Sequence, residues 1–278
     1  MRRIGFVLSI APLALLAQTG QEGPRAEWPC VPGRAVDPAY VETSESTGGQ
    51  LFLFQKNDFA KAGPFLTASY THPQTVLRGV GTLSGSRDFE FAVDSTVKSV
   101  ILMASLQCNA GIALFRPSGS EIAPGGSAQD ADLKTGRLLQ IDDPEPGQWK
   151  VRLAGTGLYV LSVQVNSSIG IHNVRFLDRS TAEQPESPAS RQQPLLQLPD
   201  LAEIRVSGEV SNVSFQLIGP SGDPLARPES AELQDSGAYR LSFTALAERF
   251  RIVVTGLDAS ARPFQRTYPV LFRARPPQ

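Results

Sequence analysis

From residue 75 onward, short apolar runs alternate with clusters of Gly, Pro, Asp and Ser, a rhythm that predicts strands rather than helices. Val76–Leu83, Asp88–Val93, Ser99–Leu106, Gly111–Phe115, Leu138–Ile141, Trp149–Leu153, Leu158–Val165 and Asn173–Leu177 each read as a strand. The clearest is Leu158–Val165: Tyr159, Leu161, Val163 and Val165 share one face, and Val160, Ser162 and Gln164 the other. Pro144, Pro146 and Gly147 read as the turn before Trp149, and Gly155–Gly157 as a tight turn between two strands of a hairpin. Short strands at this spacing predict an antiparallel β-sandwich over residues 76–178. Within it, Glu121–Gly136 is Gly-rich and polar and reads as a long loop, where a recognition surface is expected.

Residues 179–193, RSTAEQPESPASRQQ, hold no aliphatic or aromatic side chain larger than alanine apart from two prolines, and read as a linker. Beyond it, Glu203–Val206, Val213–Ile218, Tyr239–Thr244, Phe250–Thr255 and Tyr268–Phe272 read as strands of a second, immunoglobulin-like sandwich over residues 194–275. FRPSG, Phe115–Gly119, and IGPSG, Ile218–Gly222, place the same Pro-Ser-Gly after an apolar strand, which reads as one turn solution used twice.

The start of the chain follows another pattern. Arg2 and Arg3, an apolar run over Ile4–Leu16 and small residues to Ala17 read as a signal peptide, 1–17. The run is too short to span a bilayer, so membrane insertion is not expected. Residues 18–41 mix Gly, Pro and charge without periodicity and read as an extended arm. Residues 42–75 read as a short strand-helix segment. Gln50–Phe54 is the strand candidate; Asn57 caps a helix carrying Phe59, Ala62, Phe65 and Leu66 at helical spacing, which Pro64 bends or ends. A strand and a helix cannot build a core by themselves, so this segment must dock.

Charge changes the picture little: 26 basic residues face 27 acidic ones, so no overall field favours nucleic acid or an anionic membrane. The expected compartment is secreted or extracellular, periplasmic in a Gram-negative cell. There, two cysteines most simply form one disulfide, Cys30–Cys108, with a nominal stabilisation of about 4 kcal/mol or less. The alternative is a buried free Cys108 and a loose Cys30.

Candidate chemistry is sparse. His72 and His172 have no Gly-x-Ser-x-Gly nucleophile to serve, so no enzyme and no catalytic residue is expected. Asp130 and Asp132, or Asp142, Asp143 and Glu145, bring carboxylates close enough in sequence for calcium, but fit no complete loop motif. They read as caps and solvated turns; no metal and no cofactor is expected. Trp149 shares a strand face with Val151 and Leu153 and is expected in the core rather than on a sugar ring. Asn166 and Asn212 begin Asn-x-Ser sequons.

STGGQLFLFQKNDF, FAVDSTVKSVILMASL, ALFRPSG and QIDDPEPGQWKVRLAGTGLYVLSVQVNSS together resemble the galactose-binding-like β-sandwich that follows the von Willebrand A domain in hemicentins and their relatives. FRIVVTGLDASARPFQR, Phe250–Arg266, is similar to the immunoglobulin-like module beyond it. The resemblance implies an all-β chain of two sandwich modules in tandem, preceded by a remnant of the A domain's last strand and helix. The A domain's metal signature, Asp-x-Ser-x-Ser, is absent from the sequence, so metal-dependent adhesion does not carry over. What the resemblance implies is a non-enzymatic protein that binds an extracellular protein, matrix or surface component. A carbohydrate-binding module is the alternative, with a glycan as partner.

Overall fold

The computed structural model describes residues 36–55, 58–69, 71, 73–126, 129–177, 190–191 and 193–277, with two short pieces, Leu8–Ser9 and Ala14–Leu15. Trp28, Cys30, Asn57 and His72 lie outside the described residues, as do 178–189 and most of residues 1–35.

Helix α1, Pro38–Thr47, occupies part of the stretch read as an extended arm. Its start signal is local: the Asp37 carboxylate accepts the Ala39 N–H at 2.9 Å, and Pro38 pre-sets the first turn. Its end is Gly48 in the left-handed region, φ 71°. No apolar stripe marks it, because the side chains it buries are Ser44 and Glu45. Helix α2, Phe59–Ser69, continues through Pro64. Between them Leu51–Phe54 is buried but forms no strand; only Phe54 makes an isolated bridge.

The first sandwich is a single antiparallel sheet: β1 Gln74–Val93, β2 Ser99–Phe115, β3 Gln129–Leu133, β4 Gly136–Asp142 and β5 Gly147–Asn166, in the order β1-β5-β2-β4-β3. Three pairs of predicted strands are therefore single long strands. Gly155–Gly157 is not a turn: β5 stays paired with β1 through Gly155↔Gly85 and Gly157↔Leu83. The glycines instead let the long strands bend. Tyr159 pairs with Gly81, and Phe89 lies eight residues farther along β1, roughly 26 Å for a straight strand. Yet the Phe89 and Tyr159 rings are 5.6 Å apart, so the sheet folds back on itself. Its inner face, with Trp149, Val151, Leu153, Tyr159, Leu161 and Val163, forms the core.

The outer face of one half is also buried. Phe52, Phe54, Ala62 and Phe65 cover Ile101, Met103 and Leu138, and Leu51 covers Val80 and Val160. This is where the strand-helix segment docks, and it makes β5 a strand buried on both faces.

The predicted loop at 121–136 contains β3, which pairs residue for residue with β4. Arg137 fixes the rest, reaching the Ile122 and Ala123 carbonyls at 3.0 and 3.2 Å.

The second sandwich comprises β6 Gly170–Leu177, β7 Ser190–Arg191, β8 Pro199–Ser207, β9 Val210–Ile218, β10 Glu229–Ser230, β11 Glu232–Leu233, β12 Tyr239–Thr244, β13 Arg249–Asp258, β14 Pro263–Thr267 and β15 Phe272–Arg273. One sheet runs β11-β12-β8-β6-β7 and the other β10-β9-β13-β14, with β15 added on β13. Phe176, Ile204, Leu241 and Phe243 meet Phe215, Phe250, Ile252 and Phe264 between them. This is an immunoglobulin-like arrangement. The last main strand is Pro263–Thr267 rather than Tyr268–Phe272; its inward positions include a buried arginine, Arg266, which hides the alternation.

The module boundary also moves. β6, expected in the first sandwich, pairs with β8 from Leu177↔Leu201 to Gly170↔Ser207. The connection between sandwiches is thus the short stretch 167–169, and residues 179–193, which include β7, run between β6 and β8 of the second sandwich instead of linking the modules. Hydrophobic pattern cannot make this distinction, because a polar Pro-containing stretch suits either connection.

Candidate functional site

The two sandwiches lie side by side, and ionised groups hold them together. Glu45 on α1 is 1% exposed and binds two arginines at once. Arg78 of β1 donates from Nε and Nη2 to Oε1 at 3.1 and 3.0 Å; Arg251 of β13 donates to Oε2. The remaining guanidinium donors meet carbonyls, Ser44, Gly48 and Gly49 for Arg78, Pro220 and Pro269 for Arg251. Burial pulls Arg251 down to about 9 and Arg78 to about 10, which leaves both charged at neutral pH. One carboxylate from the N-terminal segment therefore joins both modules.

A second buried pair closes the other end. Arg266 donates to Asp94 Oδ2 at 2.7 Å and to Ser167 Oγ at 2.6 Å, both ions fully buried. Burial pulls Arg266 below its ordinary value and Asp94 opposes this. Nearby, Asp258 Oδ2 accepts from Ser95 N–H at 2.8 Å and from its hydroxyl at 2.5 Å. Between these locks the Gln265 amide donates to the Val76 carbonyl at 2.8 Å, and Val80 N–H to the Pro220 carbonyl at 2.8 Å. Pro220 belongs to the repeated Pro-Ser-Gly. In both copies the glycine N–H closes the turn, onto Arg116 at 2.9 Å and Gly219 at 3.0 Å. Gly119 and Gly222 have φ of 83° and 89°.

Beside the junction lies an open groove of about 430 Å³, lined by Ala92 and Gln148 of the first sandwich and by β9, β13 and β14 of the second. None of its lining side chains ionises.

The residues singled out by sequence fall elsewhere. Trp149 is fully buried, stacked on Phe91, with its indole N–H on the Glu145 carbonyl at 2.9 Å. Asp130 is taken by Arg137 through both oxygens, at 3.1 and 2.7 Å, and accepts the Gly125 N–H. Asp132, Asp142, Asp143 and Glu145 are exposed. Among the described residues no three His, Cys, Asp or Glu side chains come together to hold a metal. His172 is exposed and shares a 2.7 Å hydrogen bond with Ser207 Oγ, which also reaches the Ser168 carbonyl. Cys30 is outside the described residues, so the Cys30–Cys108 pairing is not among the described contacts. Glu45, Arg78, Arg251 and Arg266 were missed by sequence reasoning. A signal existed: arginines at inward or central strand positions, where charge is rare without a partner.

The chain is thus an all-β protein whose two sandwiches form one interlocked unit. Residues 75–168, about a third of the chain, match the Hemicentin galactose-binding domain-like family, so the first sandwich is similar to that family's β-sandwich. Its boundary coincides with the observed junction. No curated protein matches the chain. Among solved structures, the Bacillus licheniformis lipase BlEst2 in propeptide form matches at 20% identity and TM-score 0.34, covering 70% of this chain and 43% of that one. Apo Bacteroides uniformis β-glucuronidase 3 matches at 11% and 0.25, covering 69% and 27%. The glycoside hydrolase domain of Endo-D from Streptococcus pneumoniae R6 matches at 9% and 0.19, covering 70% and 32%. The chain spans less than half the length of each of these structures.

Proposed function

We propose that this is an exported, non-catalytic protein that binds a protein partner at the cell surface or in the extracellular matrix, with the two sandwiches presented as one rigid platform. The supporting observation is the junction. Glu45, Arg78, Arg251, Asp94 and Arg266 all spend their charges on fixing the modules relative to one another. A fixed arrangement of binding modules lowers the ordering cost of recognition. Residues 1–17 direct export, and an oxidising compartment joins Cys30 to Cys108.

Affinity capture with the full tagged chain, followed by cross-linking on intact cells and matrix, tests the reading. The expected result is a protein partner retained by the wild type and weakened by Glu45→Gln, which loosens the platform. Retention of the tagged chain inside the cell, or no partner above the tag control, would remove it. So would ester or glycoside hydrolysis by the purified chain that disappears in His172→Ala.

A further inference from the structure

We propose that the groove beside the module junction is a binding site for an uncharged, hydroxyl-rich ligand, a neutral oligosaccharide. Its polar groups are Gln148, Asn212, Ser214, Thr255 and Gln265, from both sandwiches. Amides and hydroxyls donate and accept, as sugar hydroxyls do. A charged ligand meets no counter-ion here. Of the ions beside the lining in sequence, Asp258 is held by Ser95 and the Ser260 and Arg262 N–H groups and Arg266 by Asp94, while the Arg262 side chain is exposed and is not part of the lining. A wholly apolar ligand would bury those amides without partners, at a cost. A sugar satisfies them while its C–H faces rest on Leu257 and Pro263.

The backbone is distorted at this groove. Asn212 has φ 51°, uncommon for a residue other than glycine, and lies in a bulge of β9 between Ser211 and Ser214. Bulges re-aim side chains and gather beside binding sites. Opposite it, Gly256 admits no larger residue: an added Cβ would lie 2.7 Å from both the Ser211 carbonyl oxygen and the Phe264 ring. Ser214 Oγ and Thr255 Oγ1 are 2.9 Å apart, so one hydroxyl donates to the other and the second keeps its proton for a ligand. The Gln265 N–H on Val76 leaves that amide's oxygen to accept. The locks at Asp258 and Gln265 hold the two walls in place, so the groove is preorganised.

Saturation-transfer NMR of the full chain with chitotriose, cellotriose, mannotriose and galactotriose tests the site. At least one is expected to bind saturably, and Gln148→Ala combined with Asn212→Gly is expected to weaken it at least about tenfold. Glycine keeps the positive φ while removing the amide. The unfolding midpoint should stay within a few degrees; if the double variant does not fold, the exposed Gln148→Ala carries the same expectation by itself. No saturable binding by any of the four sugars, or binding unchanged in the variants, overturns the proposal. The outcome is independent of protein capture, which reads a different partner.

Discussion

Arg78 and Glu45, 33 residues apart in sequence, are joined through two hydrogen bonds to a single carboxylate oxygen, at 3.1 and 3.0 Å, while Arg251 from the other module takes the second oxygen. Glu45→Gln keeps the shape but leaves two buried guanidiniums without a counter-charge. Breaking a buried ion pair from one side costs about 3–5 kcal/mol, so a loss of that order is expected in urea denaturation followed by circular dichroism. A loss under about 1 kcal/mol would mean that the carbonyls suffice.

Acid should loosen the opposite end of the junction. Burial by itself would raise the Asp258 carboxyl, but the Ser95 hydroxyl and the N–H groups of Arg262, Ser95 and Ser260 outweigh it and hold the carboxyl below 3.8. A depressed carboxyl stabilises the fold fully above its unfolded value, and the contribution fades as pH falls through the lower folded value. Wild type should therefore exceed Asp258→Asn in stability at pH 6, and the gap should close in denaturation series taken below pH 3.8. A gap that stays constant across the series would rule out the linkage.

The bend of the first sandwich depends on Gly155. Its φ is 143°, and an added Cβ would lie 2.0 Å from the Cys108 carbonyl oxygen. Gly155→Ala is expected to destabilise by more than about 1 kcal/mol, read as a lower thermal midpoint. An unchanged midpoint would show that β5 can straighten or shift there.

If the chain is exported as proposed, it should carry no free thiol. Intact mass should rise by the mass of two hydrogens on reduction, and Cys30→Ser should leave one titratable thiol at Cys108. Two thiols in the untreated protein would dismiss the bridge, and with it the tie from the N-terminal arm to the first sandwich.

The period-two pattern was enough to establish an all-β chain, because apolar side chains must reach a core and a strand offers them alternate positions. Trp149, Val151 and Leu153 on one face, and Tyr159, Leu161 and Val163 on the same sheet, were legible for that reason. So were the paired Pro-Ser-Gly turns, whose conformation is local. Helix α1 was not read: its cap, Asp37-Pro38, is a sequence signal, but its buried face is Ser44 and Glu45.

What only the tertiary structure decided is which segments meet. Gly155–Gly157 permits a turn or a bend, and pairing along β1 selected the bend. Residues 179–193 suit a linker or a connection within one sandwich, and the pairing of β6 with β8 selected the second. The proposed groove likewise joins Gln148 to Asn212, Ser214 and Thr255, residues whose local patterns say nothing of one another. Composition and periodicity act over a few residues. The partners of Glu45 lie 33 and 206 residues away, and only the packed sandwiches bring their charges to the same carboxylate.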